Sequence, residues 1–209
     1  MELKEVLPMD IENCSMKIIG EELGEVYLDH EKESIVKRVI HTSADFDYAR
    51  NLRFSEGVVE KALTILKQGV TIVTDTKMAC VGINKTGLHK LGGQALCFMD
   101  DPEVAARAKE AGSTRAAACM EKAATLKGPL IIAIGNAPTA LVKLDELFKA
   151  GKIKPDLVIG VPVGFVNVVE AKELIMNTGI PYIVAVGRKG GSNVAAAICN
   201  ALIYKLTRN

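Results

Sequence analysis

Three histidines are the first residues to weigh for proton-transfer chemistry, because imidazole both gives and takes a proton near neutral pH. His30 stands at a predicted helix entrance among charges, and His89 stands in a predicted loop with nothing to orient it. His41 ends a predicted helix and leads into the polar, acidic turn 42–48. The negative helix end and a neighbouring carboxylate favour the imidazolium form, which can donate a proton. The pattern nominates His41 as an acid/base residue, with a helix-capping role as the open alternative.

A second group of candidates follows the predicted strands, where an open parallel sheet binds its ligands. Segment 187–193 combines two cations with Gly190, Gly191 and Ser192 at the start of a predicted helix. Backbone N–H groups and the positive helix end at such a position bind a carboxylate or a phosphate. The alternative is an ordinary glycine-rich helix entry with Ser192 as N-cap.

Arg115 lies at the predicted start of another helix, capped by Ser113 or Thr114. A cation beside the positive end of a helix is locally unfavourable, and an anionic ligand reverses the sign of that interaction. The sequence therefore marks Arg115 as an anion-binding candidate. The alternative is an arginine that points into solvent or pairs with a nearby acid.

Composition excludes several classes of function. A net charge of +1, 4% aromatic residues and no tryptophan argue against a nucleic-acid partner. Neither the dinucleotide fingerprint nor the phosphate loop occurs, and the five scattered cysteines form no Cys-x-x-Cys pair, so we expect no metal site. No apolar run reaches the roughly 18 residues of a membrane span, and the first residues lack a secretion signal. We expect a cytoplasmic protein without a membrane partner.

The elements that must position these residues alternate between strands and helices. Short β-branched runs predict strands at 70–74, 95–98, 130–134, 157–160 and 182–186, and helical patterns lie at 11–23, 31–42 and 57–67. The alternation predicts an α/β fold: a single-domain, three-layer α/β/α arrangement over 1–209, with a mostly parallel central sheet. We expect the additional N-terminal helices to pack onto the same sheet.

Several segments together resemble the precorrin-8X methylmutase (cobalt-precorrin-8 methylmutase) family over residues 11–201. The most specific are Gly-Asn-Ala-Pro-Thr-Ala-Leu at 135–141 and Pro-Val-Gly-Phe-Val at 162–166. The other matching segments are 15–19, 39–41, 74–78, 113–118 and 187–192. Their joint occurrence in this order is hard to obtain by chance.

The resemblance implies an isomerase of cobalamin biosynthesis. Such an enzyme moves a methyl group between neighbouring carbons on ring C of a corrin precursor, giving hydrogenobyrinate or, with metal present, cobyrinate. The family's catalytic histidine falls on His41, and its substrate-contacting serine falls on Ser15. Histidine suits protonation of the ring C nitrogen, which would turn that ring into an electron sink.

The acetate and propionate arms of such a macrocycle require many anion contacts. We assign them to the following residues: Thr76, Lys77, Arg115, Asn136, Gly190, Gly191 and Ser192. No organic cofactor is required, and any cobalt arrives inside the substrate. The resemblance also implies a homodimer with sites near the subunit interface.

One residue departs from the family pattern. Many relatives place an arginine directly before the serine, whereas this chain has Cys14, so one carboxylate contact is either absent or supplied from elsewhere. Two other functions stay open from the sequence. One is an enzyme that acts on a phosphorylated metabolite, and the other is a non-catalytic corrinoid or tetrapyrrole carrier.

Overall fold

The structure, a computed structural model, describes residue 7, residues 10–26 and residues 28–208. The strands are β1 (Leu52–Phe54), β2 (Thr71–Thr74), β3 (Gln94–Cys97), β4 (Leu130–Ile134), β5 (Leu157–Gly160) and β6 (Tyr182–Ala185). The helices are α1 (Ile11–Leu23), α2 (His30–Ser43), α3 (Tyr48–Asn51), α4 (Val58–Leu66), α5 (Lys77–Gly82), α6 (Lys85–Lys90), α7 (Pro102–Glu110), α8 (Arg115–Ala123), α9 (Pro138–Lys149), α10 (Val168–Met176) and α11 (Ser192–Thr207).

The six strands form one sheet with the order β1-β6-β5-β4-β2-β3. Strands β2 to β6 pair in parallel, and β1 pairs antiparallel with β6 at one edge. The chain runs from β2 outward to β3 and then returns to the other side of β2 to form β4. The order therefore reverses between β2 and β4, and such a reversal leaves a crevice beyond the carboxyl ends of the two strands.

Side chains alternate between two apolar layers across the sheet, as a strand buried on both faces requires. Ile131 of β4 belongs to the apolar layer that includes buried residues of α1, α2, α4, α5, α6 and α11, whereas Ile132 belongs to the layer with α7, α8, α9 and α10. All five residues of β4 are buried. The predicted three-layer α/β/α arrangement with its mostly parallel sheet is confirmed.

Helix α11 is the inner helix of the first layer, with nine buried residues. Helix α2 makes its most extensive contact with α11, and α1 lies on α2. The two N-terminal helices are therefore an additional outer tier of that layer. Buried residues of both helices belong to the same apolar cluster as Ile131 of the sheet, as expected for helices that pack on this face.

The sequence signals at the element ends are confirmed at several positions. Pro102 and Pro138 are the first residues of α7 and α9, where a missing N–H costs nothing. Thr114 caps α8 by accepting from the Ala117 N–H at 3.1 Å. His89 is an exception, because it belongs to α6 rather than to a loop. None of the helices in the described part of the chain combines the length and apolar character that a membrane crossing needs.

Candidate active site

His41 lies in the last turn of α2, and its ring is exposed. Its hydrogen-bond partner is Ser15 of α1, with 2.8 Å between Ser15 Oγ and His41 Nδ1. Within residues 10–26 and 28–208, the structure gives the Nε2 atom no such partner. The pair therefore occupies one ring nitrogen and leaves the other available to a ligand.

The acidic turn after His41 is occupied by a lysine from the far end of the chain. Lys189 Nζ lies 2.7 Å from Asp45 Oδ2 and 2.5 Å from Asp47 Oδ2. The hydrogen bond from Lys189 holds the pKa of Asp45 below its usual range. The carboxylate expected beside His41 is thus engaged elsewhere, and the ion pair ties the end of α2 to the loop after β6.

Asp75 fixes the crevice where the strand order reverses. It follows β2 directly, is buried, and accepts from the backbone N–H groups of Gly135, Asn136 and Ala137 at 2.7 to 2.9 Å. Burial raises the pKa of Asp75, and the three backbone donors oppose that shift. Asp75 therefore positions the loop that carries Asn136, whose own side chain is exposed.

Two glycines let the loops after β4, β5 and β6 meet at backbone distance. A Cβ atom on Gly135 would lie 2.6 Å from Cα of Ser192, and one on Gly190 would collide with the carbonyl oxygens of Val161 and Pro162. The N–H of Gly191 donates to the carbonyl of Val161 at 2.9 Å. The predicted site residues Gly190 and Gly191 thus pack the edge of the sheet, whatever ligand they bind.

Thr76 and Ser192 join the loop after β2 to the start of α11. Their hydroxyl oxygens are 2.8 Å apart, and Thr76 also caps α5 by accepting from the Ala79 N–H. The alternative of Ser192 as N-cap was wrong, because Gly191 occupies that position with φ of 147°. Ser192 is the first helical residue, and its hydroxyl faces Thr76 instead.

The two remaining predicted residues, Lys77 and Arg115, differ in their availability to an anion. Lys77 forms an ion pair with Asp100, which follows β3, so a substrate carboxylate must compete with that partner. Arg115 is exposed as the first residue of α8, and no ion pair involves it in the described residues. The hydroxyls of Thr114 and Thr139 are 2.8 Å apart, which places Arg115 beside the start of α9 and the Asn136 loop.

Lys172 supports the loop after β6 and was missed in the sequence. Its side chain is fully buried, and Nζ donates to the carbonyls of Gly187 and Lys189 at 2.7 and 2.9 Å. Burial lowers the pKa of Lys172 to about 8. The helical spacing of apolar residues could have indicated a buried lysine, because Lys172 lies on the buried stripe of α10 with Val168, Ala171 and Ile175.

Large apolar side chains stand exposed beside these loops. Phe165 is 81% exposed and Val166 is 78% exposed in the segment between β5 and α10, and the Arg188 guanidinium lies 5.5 Å from the ring of Phe165. An apolar surface next to cations suits a ligand with a flat apolar body and anionic arms, or a partner chain. The site in one chain is therefore open rather than enclosed.

The described residues supply an exposed imidazole at the end of α2, and exposed cations and backbone donors on the loops after the strands and at helix starts. In the described ranges, no group of three or more His, Cys, Asp or Glu residues has the geometry to hold a metal ion. Such a site can transfer a proton and bind anionic groups. The sheet order belongs to a class of α/β proteins in which ligands commonly bind beyond the carboxyl ends of the strands.

Comparison with known proteins gives the family. The precorrin-8X methylmutase family model matches residues 10–205. The cobalt-precorrin-8 methylmutase of Priestia megaterium is 43% identical over 94% of this chain and 88% of its own length. That of Salmonella typhimurium is 43% identical over 95% and 96%. A crystal structure of a precorrin-8X methylmutase from Thermus thermophilus has a TM-score of 0.85 and 40% identity, covering 93% of this chain and 96% of that one.

The chain therefore belongs to the precorrin-8X methylmutase family. It is an isomerase of the intramolecular-transferase class with a function in cobalamin biosynthesis. The family resemblance stated from the sequence is confirmed.

Proposed function

We propose that this enzyme moves a methyl group on ring C of precorrin-8, or of its cobalt-containing form, with His41 as the proton donor and acceptor. The product is hydrogenobyrinate or cobyrinate. The observation that carries this proposal is the hydrogen bond of 2.8 Å between Ser15 Oγ and His41 Nδ1. That bond fixes the orientation of the imidazole, and we assign proton transfer to its other nitrogen.

The two ring nitrogens of His41 have different roles. Nδ1 bonds to Ser15, and Nε2 exchanges a proton with the substrate. In the imidazolium form, Nδ1–H donates to the hydroxyl of Ser15 and Nε2–H donates to the ring C nitrogen of the substrate. Proton transfer makes ring C electron-poor, which favours migration of the methyl group to the neighbouring carbon. The neutral imidazole keeps the Nδ1–H bond to Ser15, so Nε2 takes the proton back when the product forms. No organic cofactor takes part.

The acidic arms of the substrate bind the exposed cations and the backbone donors around the crevice. Arg115 and Asn136 border it at the loop after β4, and segment 190–192 borders it at the start of α11. Lys77 and Thr76 serve the side near β2. Any cobalt belongs to the substrate, and the enzyme works in the cytoplasm as a homodimer.

The test separates conversion from binding. His41→Ala should abolish conversion of the precorrin, followed by its change in absorption spectrum, and should leave the dissociation constant of the product within about threefold, because the anion-binding groups remain. The matched control is His89→Ala, which removes an exposed histidine of α6 and should convert substrate at the wild-type rate.

Full turnover by the His41→Ala variant would exclude the proposed mechanism. The alternative function is a non-catalytic corrinoid or tetrapyrrole carrier. A carrier would bind the corrinoid in both variants and would convert it in neither, and the wild-type protein would fail to convert it as well. The same assay therefore separates the two functions.

A further inference from the structure

Helices α1 and α2 meet through two polar pairs that repeat after one helical turn. Glu12 Oε1 accepts from Arg38 Nη2 at 2.5 Å, and Ser15 bonds to His41 at 2.8 Å. Glu12 and Ser15 are three residues apart on α1, and Arg38 and His41 are three residues apart on α2. Residues at this spacing lie on one face of a helix, so the ion pair and the serine–histidine pair are neighbouring contacts of one interface.

The ion pair is itself held by the end of α11. Arg208 also donates to Glu12 Oε1, at 2.7 Å, so this carboxylate binds two guanidinium groups. The Tyr204 ring packs against both of them, 5.1 Å from Arg38 and 3.5 Å from Arg208. The hydrogen bond from Arg38 is the main cause that lowers the pKa of Glu12. The carboxylate therefore stays ionised and engaged at neutral pH.

Apolar packing supports α1 on the side of Ser15 that leads to the end of the helix. Ile19 and Leu23 are buried and Met16 packs partly buried against the same core, and all three follow Ser15 in the helix. On the other side of Ser15, the first turn is attached through Glu12. Without that attachment, the segment that carries the serine hydroxyl would be fixed from one side alone.

We propose that the Glu12–Arg38 ion pair is a positioning pair that holds the Ser15 hydroxyl on Nδ1 of His41. It thereby keeps the Nδ1 proton in place and reserves Nε2 for the substrate. The ion pair touches neither substrate nor the reacting proton. This inference rests on the proposed role of His41, since a fixed tautomer matters for catalysis only if that ring transfers the proton.

Glu12→Gln tests the inference, because it removes the charge and keeps the shape. The first readout needs no turnover: nitrogen-15 NMR of the His41 ring, at a pH where the ring is neutral, reports which nitrogen carries the proton. We expect the Nδ1–H form to dominate in the wild type and the two forms to mix in Glu12→Gln. We also expect kcat to fall about tenfold with KM within twofold, since the loss concerns proton transfer.

The control is Glu21→Gln on the same helix. It breaks the exposed Lys17–Glu21 pair, whose atoms are 3.9 Å apart, and should leave both the ring signals and kcat unchanged. A double-mutant cycle then asks whether Glu12 acts through Ser15. In a Ser15→Ala background, Glu12→Gln should cause no further loss of kcat.

Two results would overturn the positioning role. One is an unchanged ring tautomer in Glu12→Gln, and the other is an equal loss of kcat with and without Ser15. Neither result would touch the proposed function, which fails only if His41→Ala still converts substrate. Conversely, the NMR measurement remains decisive for the positioning role even if His41 proves dispensable.

Discussion

Arg115 and Lys77 carry the same charge but differ in whether a carboxylate of the protein already pairs with it. Lys77 already has the carboxylate of Asp100, whereas Arg115 sits exposed at the positive end of α8 without an ion-pair partner in the described residues. A cation at that end of a helix is slightly repelled by the helix dipole. An anion bound there relieves the repulsion and gains a charge-assisted hydrogen bond.

Arg115→Ala should therefore weaken product binding by about 1–3 kcal/mol, the range for one lost charge-assisted contact. Isothermal titration with the corrinoid product measures it. Arg107→Ala is the control, because that arginine is equally exposed but lies on α7. An unchanged affinity in Arg115→Ala would mean that the guanidinium faces water in the complex.

From the sequence, single residues could be nominated by their own type and position, and their roles stay predictions. His41 stood out among three histidines, and Arg115 stood out by its place at a helix start. The pairs were not predictable, because each partner lies far along the chain: 26 residues separate Ser15 from His41, and 142 separate Asp47 from Lys189. Only the packing of α1 on α2, and of the loop after β6 on the α2–α3 turn, brings them together.

The loop after β6 is an element held from two sides. On its inner side, the ammonium of Lys172 binds its carbonyls, and on its outer side Lys189 binds the turn after α2. A buried ammonium without a carboxylate is costly, which is why burial lowers the pKa of Lys172 to about 8. A neutral amine still has two N–H donors for the two carbonyls.

The burial of Lys172 makes the free energy of unfolding depend on pH. Between a pH of about 8 and the ordinary lysine pKa of 10.5, the unfolded chain retains a proton that folded Lys172 has lost. The free energy of unfolding must then rise with pH, by at most about 1.4 kcal/mol per pH unit. Below a pH of about 8 both states are protonated, and this contribution is flat.

Lys172→Met should remove that rise, since methionine does not titrate. Urea unfolding at several pH values between 7.5 and 10 measures the free energy for both proteins, and their difference should change with pH. Lys17→Met, at an exposed position of α1, controls for the loss of one charge and should follow the wild type. A Lys172→Met curve parallel to the wild type would show that the lysine titrates normally.

At the scale of elements, long and strongly patterned segments were the predictable ones. Helix α1 and strands β4 and β5 have the predicted bounds, and the other predicted elements agree within two residues. Strand β1 was missed because its three residues carry too short a pattern and owe their conformation to pairing with β6. Helices α5 and α6 were missed because each has six residues and depends on its side-chain cap.

The whole molecule presents its candidate site as an open edge. His41, Lys77, Arg115 and Asn136 are all exposed, and so are the apolar side chains of Phe165 and Val166 in the segment after β5. A large ligand bound to one such chain would keep much of its surface in water. A second subunit placed over this edge would bury the apolar side chains and help to enclose the ligand.

We therefore expect a homodimer that depends on this edge. Light scattering after size exclusion should give about twice the chain mass for the wild type. Phe165→Ser should weaken the dimer, because it removes an apolar side chain that the dimer would bury. Val142→Ser, a partly exposed apolar position on α9, is the control. A monomeric wild type at micromolar concentration would contradict the expectation.

The close approach of the loops at Gly135 and Gly190 restricts how this enzyme can acquire new specificity. Any side chain at these two positions displaces neighbouring backbone, so substitutions of either glycine should destabilise the fold. The exposed positions of α1 that lie outside the contacts of Glu12 and Ser15 are more tolerant of substitution. Cys14 is exposed on this helix directly before Ser15, and diversity introduced at this position offers the most practical route to corrinoids with altered side arms.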